Sequence, residues 1–215
     1  MNKSVCIIIT SEFGEKDFTA LKKSEFKVFF FPMIKTISEH YILNDDDYEF
    51  LVFTSKNGIR YFFDSNKKID QFRSKKIICL GTKTEEFLHQ YKLKSFFTSP
   101  KSYSKIMLKH IIERGFINGK KTLLVQGNLA SDELLDGFKK ISNVKRINSY
   151  RTELITTNNK ELEKIIKIYN SYCVFTSPSS FQAFDINYNP SLTNIVSIGT
   201  TTTKFIEKKG YEAKV

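Results

Sequence analysis

One segment of this chain occurs twice. Leu51-Val52-Phe53-Thr54-Ser55 is followed by Leu80-Gly81-Thr82-Lys83-Thr84, and the same order returns as Cys173-Val174-Phe175-Thr176-Ser177 and Ile198-Gly199-Thr200-Thr201-Thr202. Each copy reads as an apolar strand ending in Thr-Ser, a short helix, a second apolar strand, and a Gly-Thr turn opening another helix. A unit repeated at this size calls for two similar α/β domains. Helix starts expose main-chain N–H groups and partial positive charge, which suit anions. The expectation is a polyanionic small molecule held between two lobes.

Composition agrees with an acidic ligand without naming one. The 215 residues carry 34 Lys and Arg against 23 Asp and Glu, a net charge of +11, and such an excess favours acidic ligands, nucleic acid or anionic surfaces. Only Arg60, Arg73, Arg114, Arg146 and Arg151 are arginines, although Arg is the residue suited to bidentate phosphate and base-edge contacts. Cys6, Cys79 and Cys173 fall inside apolar strands at no metal-ligand spacing. With no signal-peptide pattern and no apolar stretch of ~20 residues, the expected place is the reducing cytoplasm.

The usual enzyme motifs are absent. His40, His89 and His110 are isolated, and there is no HExxH, GxSxG, GxGxxG or CxxC. Gly115-Phe116-Ile117-Asn118-Gly119-Lys120 looks like a phosphate loop but precedes a strand instead of following one, so it reads as a turn.

Strands are expected at Val5–Thr10, Lys27–Phe31, Phe50–Phe53, Lys76–Leu80, Phe96–Thr98, Thr122–Gln126, Tyr172–Phe175 and Asn194–Ile198, with a stub at Tyr211–Val215. Val144–Tyr150 and Thr152–Ile155 read as strand broken around Arg151. Helices are expected over Asp17–Ser24, Gly58–Phe63, Thr82–Tyr91, Ser102–Glu113, a segment from Ser131 to Lys139, one from Asn159 to Tyr169, one from Ser177 to Phe184, and Thr201–Lys209. Asp45-Asp46-Asp47 marks a turn. Strands alternating with helices imply parallel sheets with right-handed crossovers. Packing Val5–Phe31 with the C-terminal segment gives each lobe about four or five strands, typical of such sheets. The expected first domain is therefore discontinuous, 1–33 plus 153–215, with a second domain, 39–148, inserted and linker crossings at 34–38 and 149–152.

Strand-to-helix junctions lie at the C-terminal edge of such sheets, the usual ligand edge. Those expected to bind substrate carboxylates are Thr10-Ser11, Thr54-Ser55, Gly81–Thr84 (with Thr82 and Lys83), Gln126-Gly127-Asn128, Thr176–Ser179 (with Ser177), and Gly199–Thr202 (with Thr201). Lys56, Lys101 and Arg151 stand near this edge.

The ordered set Phe53-Thr54-Ser55, Leu80-Gly81-x-x-Thr84, Gln126-Gly127-Asn128, Ser149-Tyr150-Arg151-Thr152, Phe175-Thr176-Ser177-Pro178 and Ile198-Gly199-x-Thr201-Thr202 resembles the uroporphyrinogen-III synthase family from Val5 nearly to the C-terminus. The resemblance implies two flavodoxin-like parallel-sheet α/β lobes, the first discontinuous, joined by a two-stranded linker. It implies cyclisation of the linear tetrapyrrole hydroxymethylbilane, with loss of water and inversion of ring D, in haem biosynthesis. No metal or cofactor is implied, no nucleic acid or membrane partner, and a monomer receiving substrate from hydroxymethylbilane synthase. Tyr150 matches the family tyrosine and is the expected catalytic residue, a proton donor or hydrogen-bond partner for the departing hydroxyl. The sequence departs from the family pattern at Thr200 and Lys56, where Pro is common, and at Ser11, where Arg is common; relatives also usually run into another helix beyond Val215. Two other functions compete with this one: a non-catalytic two-lobed module closing on a small anion, and a nucleic-acid binder using the 20 Phe and 10 Tyr residues.

Overall fold

The computed structural model describes residues 4–12, 25–43, 47–66 and 69–215. In chain order these form β1 (Val5–Ile9), β2 (Lys27–Phe30), β3 (Ile34–Ser38), β4 (Phe50–Phe53), α1 (Lys56–Ser65), β5 (Lys76–Cys79), α2 (Thr82–Leu88), β6 (Phe97–Thr98), α3 (Ser104–Arg114), β7 (Lys121–Gly127), α4 (Glu133–Lys139), β8 (Asn143–Leu154), α5 (Lys160–Ile168), β9 (Asn170–Phe175), α6 (Pro178–Asn187), β10 (Asn194–Ser197) and α7 (Thr200–Lys208). They divide into two compact units, Met1–Lys35 with Glu153–Val215, and Thr36–Thr152. One sheet has the order β10-β9-β1-β2, the other β3-β8-β7-β4-β5-β6. The β1, β9 and β10 pairings and those joining β4, β5, β6, β7 and β8 are all parallel.

The inserted unit shows why its strands read as unbroken apolar runs. Leu51 and Phe53 of β4 enter a core with Ile59, Phe62, Phe63 and Leu123, whereas Phe50 and Val52 enter a second core with Met107, Ile111 and Phe138. A sheet covered on both faces needs apolar residues at every position. In α1 the buried residues Ile59, Phe62 and Phe63 recur at helical spacing on the sheet side. Phe62 meets Phe53, Phe63 and Phe72 edge-on at centroid distances of 5.4, 5.1 and 5.0 Å, the geometry the ring quadrupole favours.

In the other unit, Cys6, Ile8, Cys173 and Phe175 pack against Leu162, Phe181, Phe184 and Ile206. Burial pushes the thiols up, Cys173 and Cys79 to about 12, so both are inert hydrophobes. The C-terminal stub is a parallel bridge between Lys214 and Val196.

Several expectations are corrected. β8 runs without interruption from Asn143 to Leu154, through Arg151. The irregularity lies earlier, where Gln126 faces Asn148 but Gly127 faces Tyr150, leaving Ser149 as the extra residue of a bulge. The helix expected from Ser102 begins at Ser104, and its buried residues are Met107 and Ile111, while Ile112 is 48% exposed. Helix α4 is preceded by Asp132, not Ser131, and the Asp132 carboxylate pairs with Arg146 instead of capping. The helix expected over Asp17–Ser24 lies outside the described residues, as does most of the acidic turn.

Candidate active site

In the inserted unit the strand order reverses between β4 and β7, because the chain adds β5 and β6 on one side and β7 and β8 on the other. The crevice beyond the carboxyl ends of two such strands is the ordinary ligand site of an open α/β sheet. Phe53 is in register with both Cys79 and Val125, so Thr54-Ser55, Leu80-Gly81 and Gln126-Gly127 emerge along one edge.

Tyr150 is brought to this crevice by the bulge. A one-residue shift moves a side chain to the opposite face of a sheet, so the extra Ser149 sends the Tyr150 ring across Gly127. A Cβ on Gly127 would stand 2.5 Å from Tyr150 Cζ and 2.9 Å from its hydroxyl oxygen, so a side chain there is incompatible with the ring. The Ser149 carbonyl accepts from Glu39 N–H at 3.0 Å and its hydroxyl donates to the Gly58 carbonyl at 3.3 Å. These bonds hold the bulge on both sides.

The phenol oxygen of Tyr150 lies 3.1 Å from Ser55 Oγ. Ser55 is also the N-cap of α1 and accepts the Gly58 N–H at 2.9 Å, an ordinary capping bond. Besides that bond Ser55 Oγ keeps its proton and a second lone pair, so it can donate to the Tyr150 phenol or accept from it. Burial raises the Tyr150 pKa, the Ser55 bond offsets part of that rise, and nearby Tyr61 adds to it, which keeps the phenol protonated around neutrality. Tyr61 stacks on Tyr150 with centroids 5.7 Å apart and planes 21° from parallel.

The remaining expected residues sort by what already occupies them. Thr10 is fully buried and its hydroxyl donates to the Val174 carbonyl at 2.8 Å, pinning β1 to β9. Thr84 is 5% exposed and its hydroxyl donates to the Leu80 carbonyl at 3.2 Å. Each hydroxyl thus spends its proton on a carbonyl of the sheet edge it stands on. Thr202 and Gln126 are buried as well, and among the described residues Gln126 Oε1 and Ser11 Oγ have no hydrogen-bond partner. Asn128 accepts the Thr152 N–H through Oδ1 at 2.9 Å, and its own N–H donates to the Tyr150 carbonyl at 3.2 Å. Gly81 has φ +89°, and its backbone abuts Ser102, whose Oγ would lie 2.0 Å from an added Cβ. Thr82 and Lys83 beyond it are exposed, and Thr54 is half-buried.

In the other unit the equivalent rim is Thr176, Ser177, Ser179, Gly199 and Thr201. Ser177 caps α6 in a reciprocal box with Ser180, and Ser179 Oγ lies 3.0 Å from Ser177 Oγ. Gly199 precedes α7 with open space around it, and Thr201 is exposed.

Asn128 and Arg151 also line a groove of about 530 Å³ in the inserted unit, together with Lys145, Arg146 and His40. A larger cavity of about 660 Å³ over Tyr41 and Asn66 contains none of the expected site residues. Among the described residues no three His, Cys, Asp or Glu side chains cluster as a metal site would require, and no helix is long and apolar enough to cross a membrane.

Tyr61, Ser149 and Thr36 do not stand out in the sequence as site residues. A signal for Tyr61 is nonetheless present, because Ser55, Gly58 and Tyr61 are spaced three apart and so share one face of α1.

Fold and site together define a two-unit α/β protein with mostly parallel sheets that presents hydroxyls, main-chain amides and a half-buried phenol at its strand ends. The model of the family described as uroporphyrinogen-III synthase HemD matches residues 16–215. The chain belongs to the uroporphyrinogen-III synthase family. It is 31% identical over 152 residues, 67% of its length, to the porphyrin biosynthesis protein HemD of Ruminiclostridium josui, and the match spans 30% of that longer protein. Its fold resembles the crystal structure of uroporphyrinogen-III synthetase from Helicobacter pylori 26695, with TM-score 0.70, 18% identity, and coverage of 100% of this chain and 92% of that one. It also resembles a mutant uroporphyrinogen III synthase from the extremely thermophilic bacterium Thermus thermophilus, with TM-score 0.65, 14% identity, and coverage of 99% and 93%.

Proposed function

We propose that this chain is a uroporphyrinogen-III synthase that cyclises hydroxymethylbilane, and that Tyr150 is its proton donor. The reading is carried by the Tyr150 phenol, lodged against Gly127 at the switch point of its sheet and bonded to the cap of α1. The family match supports the substrate class.

Loss of the terminal hydroxyl needs a proton. With Ser55 donating to the phenol oxygen, the Tyr150 proton is directed away from Ser55 and toward the departing group. Transfer releases water and leaves an azafulvene cation and a phenolate; the Ser55 hydroxyl, itself polarised by the Gly58 N–H, stabilises that phenolate. Ring closure through the substituted carbon of ring D and rearrangement then release a proton, which the phenolate takes back. The sum is loss of one water, with no outside acid or oxidant.

Free hydroxymethylbilane closes unaided to the uninverted isomer, so the protein's main contribution is to select a conformation. The carboxylates are taken by the hydroxyls and main-chain amides of Thr54, Ser55, Gly81, Thr82, Asn128, Thr176, Ser177, Ser179, Gly199 and Thr201, with Lys83 supplying charge. The enzyme would work as a cytoplasmic monomer, receiving its unstable substrate from hydroxymethylbilane synthase. The binding-module and nucleic-acid readings are not favoured: the family is enzymatic, and much of the aromatic content, including Phe50, Phe53, Phe62, Phe138, Phe175, Phe181 and Phe184, is buried.

The test is a discontinuous assay in which hydroxymethylbilane is converted, the products are oxidised, and the porphyrin isomers are separated. Type III product above the spontaneous type I background supports the proposal, and type I alone overturns it. Tyr150→Phe should lower kcat by about 100-fold, the low end for loss of a general acid because a phenol is a modest one, while type III remains detectable.

A further inference from the structure

We infer that Tyr61 is a positioning residue, whose ring and hydroxyl together fix the orientation of Tyr150. The inference rests on the proton-donor reading of Tyr150, but its first measurement is independent of activity.

Three observations converge. First, Tyr61 and Tyr150 are stacked, with centroids 5.7 Å apart and an interplanar angle of 21°. The Tyr150 ring also abuts Gly127, so both neighbours limit how far it can swing. Second, the Tyr61 hydroxyl is itself held twice: it donates to the Thr36 carbonyl at 2.7 Å and lies 3.0 Å from Thr36 Oγ1. Thr36 is only 8% exposed, so this anchor is a fixed one on β3. Third, Tyr61 shares its helix face with Ser55 and Gly58, the residues that bond to the Tyr150 phenol and to the Ser149 hydroxyl.

A phenol in contact with both a backbone glycine and a tethered ring has little freedom to reorient. Its hydroxyl can then meet Ser55 at 3.1 Å without ordering at the moment of reaction. Beside the effect of burial, Tyr61 also raises the Tyr150 pKa electrostatically, which favours the protonated form the proposed step requires.

The experiment compares Tyr61→Leu, which removes the stack, with Tyr61→Phe, which keeps the ring and removes the Thr36 bonds. Protein carrying ¹³C-labelled tyrosine, with the Tyr150 signal assigned by its loss in Tyr150→Phe, reports the ring environment and phenol ionisation directly. Tyr61→Leu should shift and broaden the Tyr150 signal and lower kcat about tenfold, with KM changed less than about threefold and a larger share of type I product. Tyr61→Phe should fold as the parent does, keep the Tyr150 ring shift close to the parent value, and lose about two- to threefold in kcat. An unchanged Tyr150 signal in Tyr61→Leu overturns the positioning role, and so does a tenfold loss that falls on KM alone. If Tyr150→Phe itself keeps full kcat, the proton-donor reading has failed, while the spectrum still decides whether Tyr61 holds the ring.

Discussion

Replacing Gly127 by Ala puts one methyl group into a place the Tyr150 ring occupies. The added carbon would sit 2.5 Å from Cζ, 2.7 Å from Cε2 and 2.9 Å from the hydroxyl oxygen, against about 3.5–4.0 Å for carbons at rest. The Tyr150 backbone cannot retreat freely, because its carbonyl is bonded to the Asn128 N–H and its strand neighbour Ser149 is fixed from both sides. The ring must therefore move by roughly 1 Å, which takes its hydroxyl from 3.1 Å to beyond bonding distance of Ser55. Overpacking of this kind costs about 1–3 kcal/mol of stability, and a catalytic group displaced by ~1 Å loses about a hundredfold in rate. Gly127→Ala should thus lower kcat by about 30- to 100-fold with little change in KM, and should lower the urea midpoint. In a Tyr150→Leu background the same change should be close to neutral in stability, since the clashing ring is gone. A Gly127→Ala protein with parental kcat and parental midpoint would show that the ring is not lodged against this glycine, and the account of Tyr150 would fall with it.

Two further outcomes follow from the geometry. Gly81→Ala meets both a left-handed backbone and Ser102 Oγ at 2.0 Å; it should destabilise by about 2 kcal/mol or more, and adding Ser102→Gly should recover part but not all, as equilibrium unfolding of the four proteins of the cycle would show. Stability should also fall in alkali: burial raises Cys79 and Cys173 from 9.0 to about 12, so the folded state keeps protons the unfolded chain loses, and the contribution is intact below about pH 9 and lost as pH rises toward 12. Between pH 8 and pH 10 the two thiols together should cost about 3 kcal/mol, Cys79→Ala should remove about half of that slope, and a flat urea midpoint over this range would contradict the burial assigned to them.

What could be read from sequence was what is local. Apolar runs marked β4, β7 and β9 because a two-faced sheet demands them, and Ser55, Asn159 and Ser177 marked helix starts because their hydroxyl or amide oxygens cap the turn that follows. At the first of these, Ser55 is the cap and its side chain accepts the Gly58 N–H. The features that aim Tyr150 are not local. The bulge at Ser149 exists only in relation to β7, and the Tyr61 stack only once α1 has packed beside β8. Arg151 reads in sequence as a break in the strand, whereas β8 continues through it and the irregularity is the bulge at Ser149.

The two copies of the repeat explain why the phenol belongs to one unit and not the other. Ser55 and Ser177 are near-identical caps, with φ and ψ of −157° and 159° in the first and −155° and 157° in the second. They differ three residues on. Ser180 occupies that position in the second copy and returns a hydrogen bond to the Ser177 backbone, while Ser179 takes a further bond to the Ser177 hydroxyl. The hydroxyl of that cap is thus bonded twice within its own turn. In the first copy the position is Gly58, which has no side chain to close the box, leaves its carbonyl to Ser149, and leaves the Ser55 hydroxyl to Tyr150. Gly58→Ser would put a Cβ 3.3 Å from Ser55 Oγ and 3.5 Å from the Val125 carbonyl, and its hydroxyl would compete for the bonds that now hold the phenol and the bulge. Loss of one side chain at the third helical position thus frees a capping hydroxyl to serve a neighbour, and in this chain that neighbour is the residue proposed to protonate the substrate.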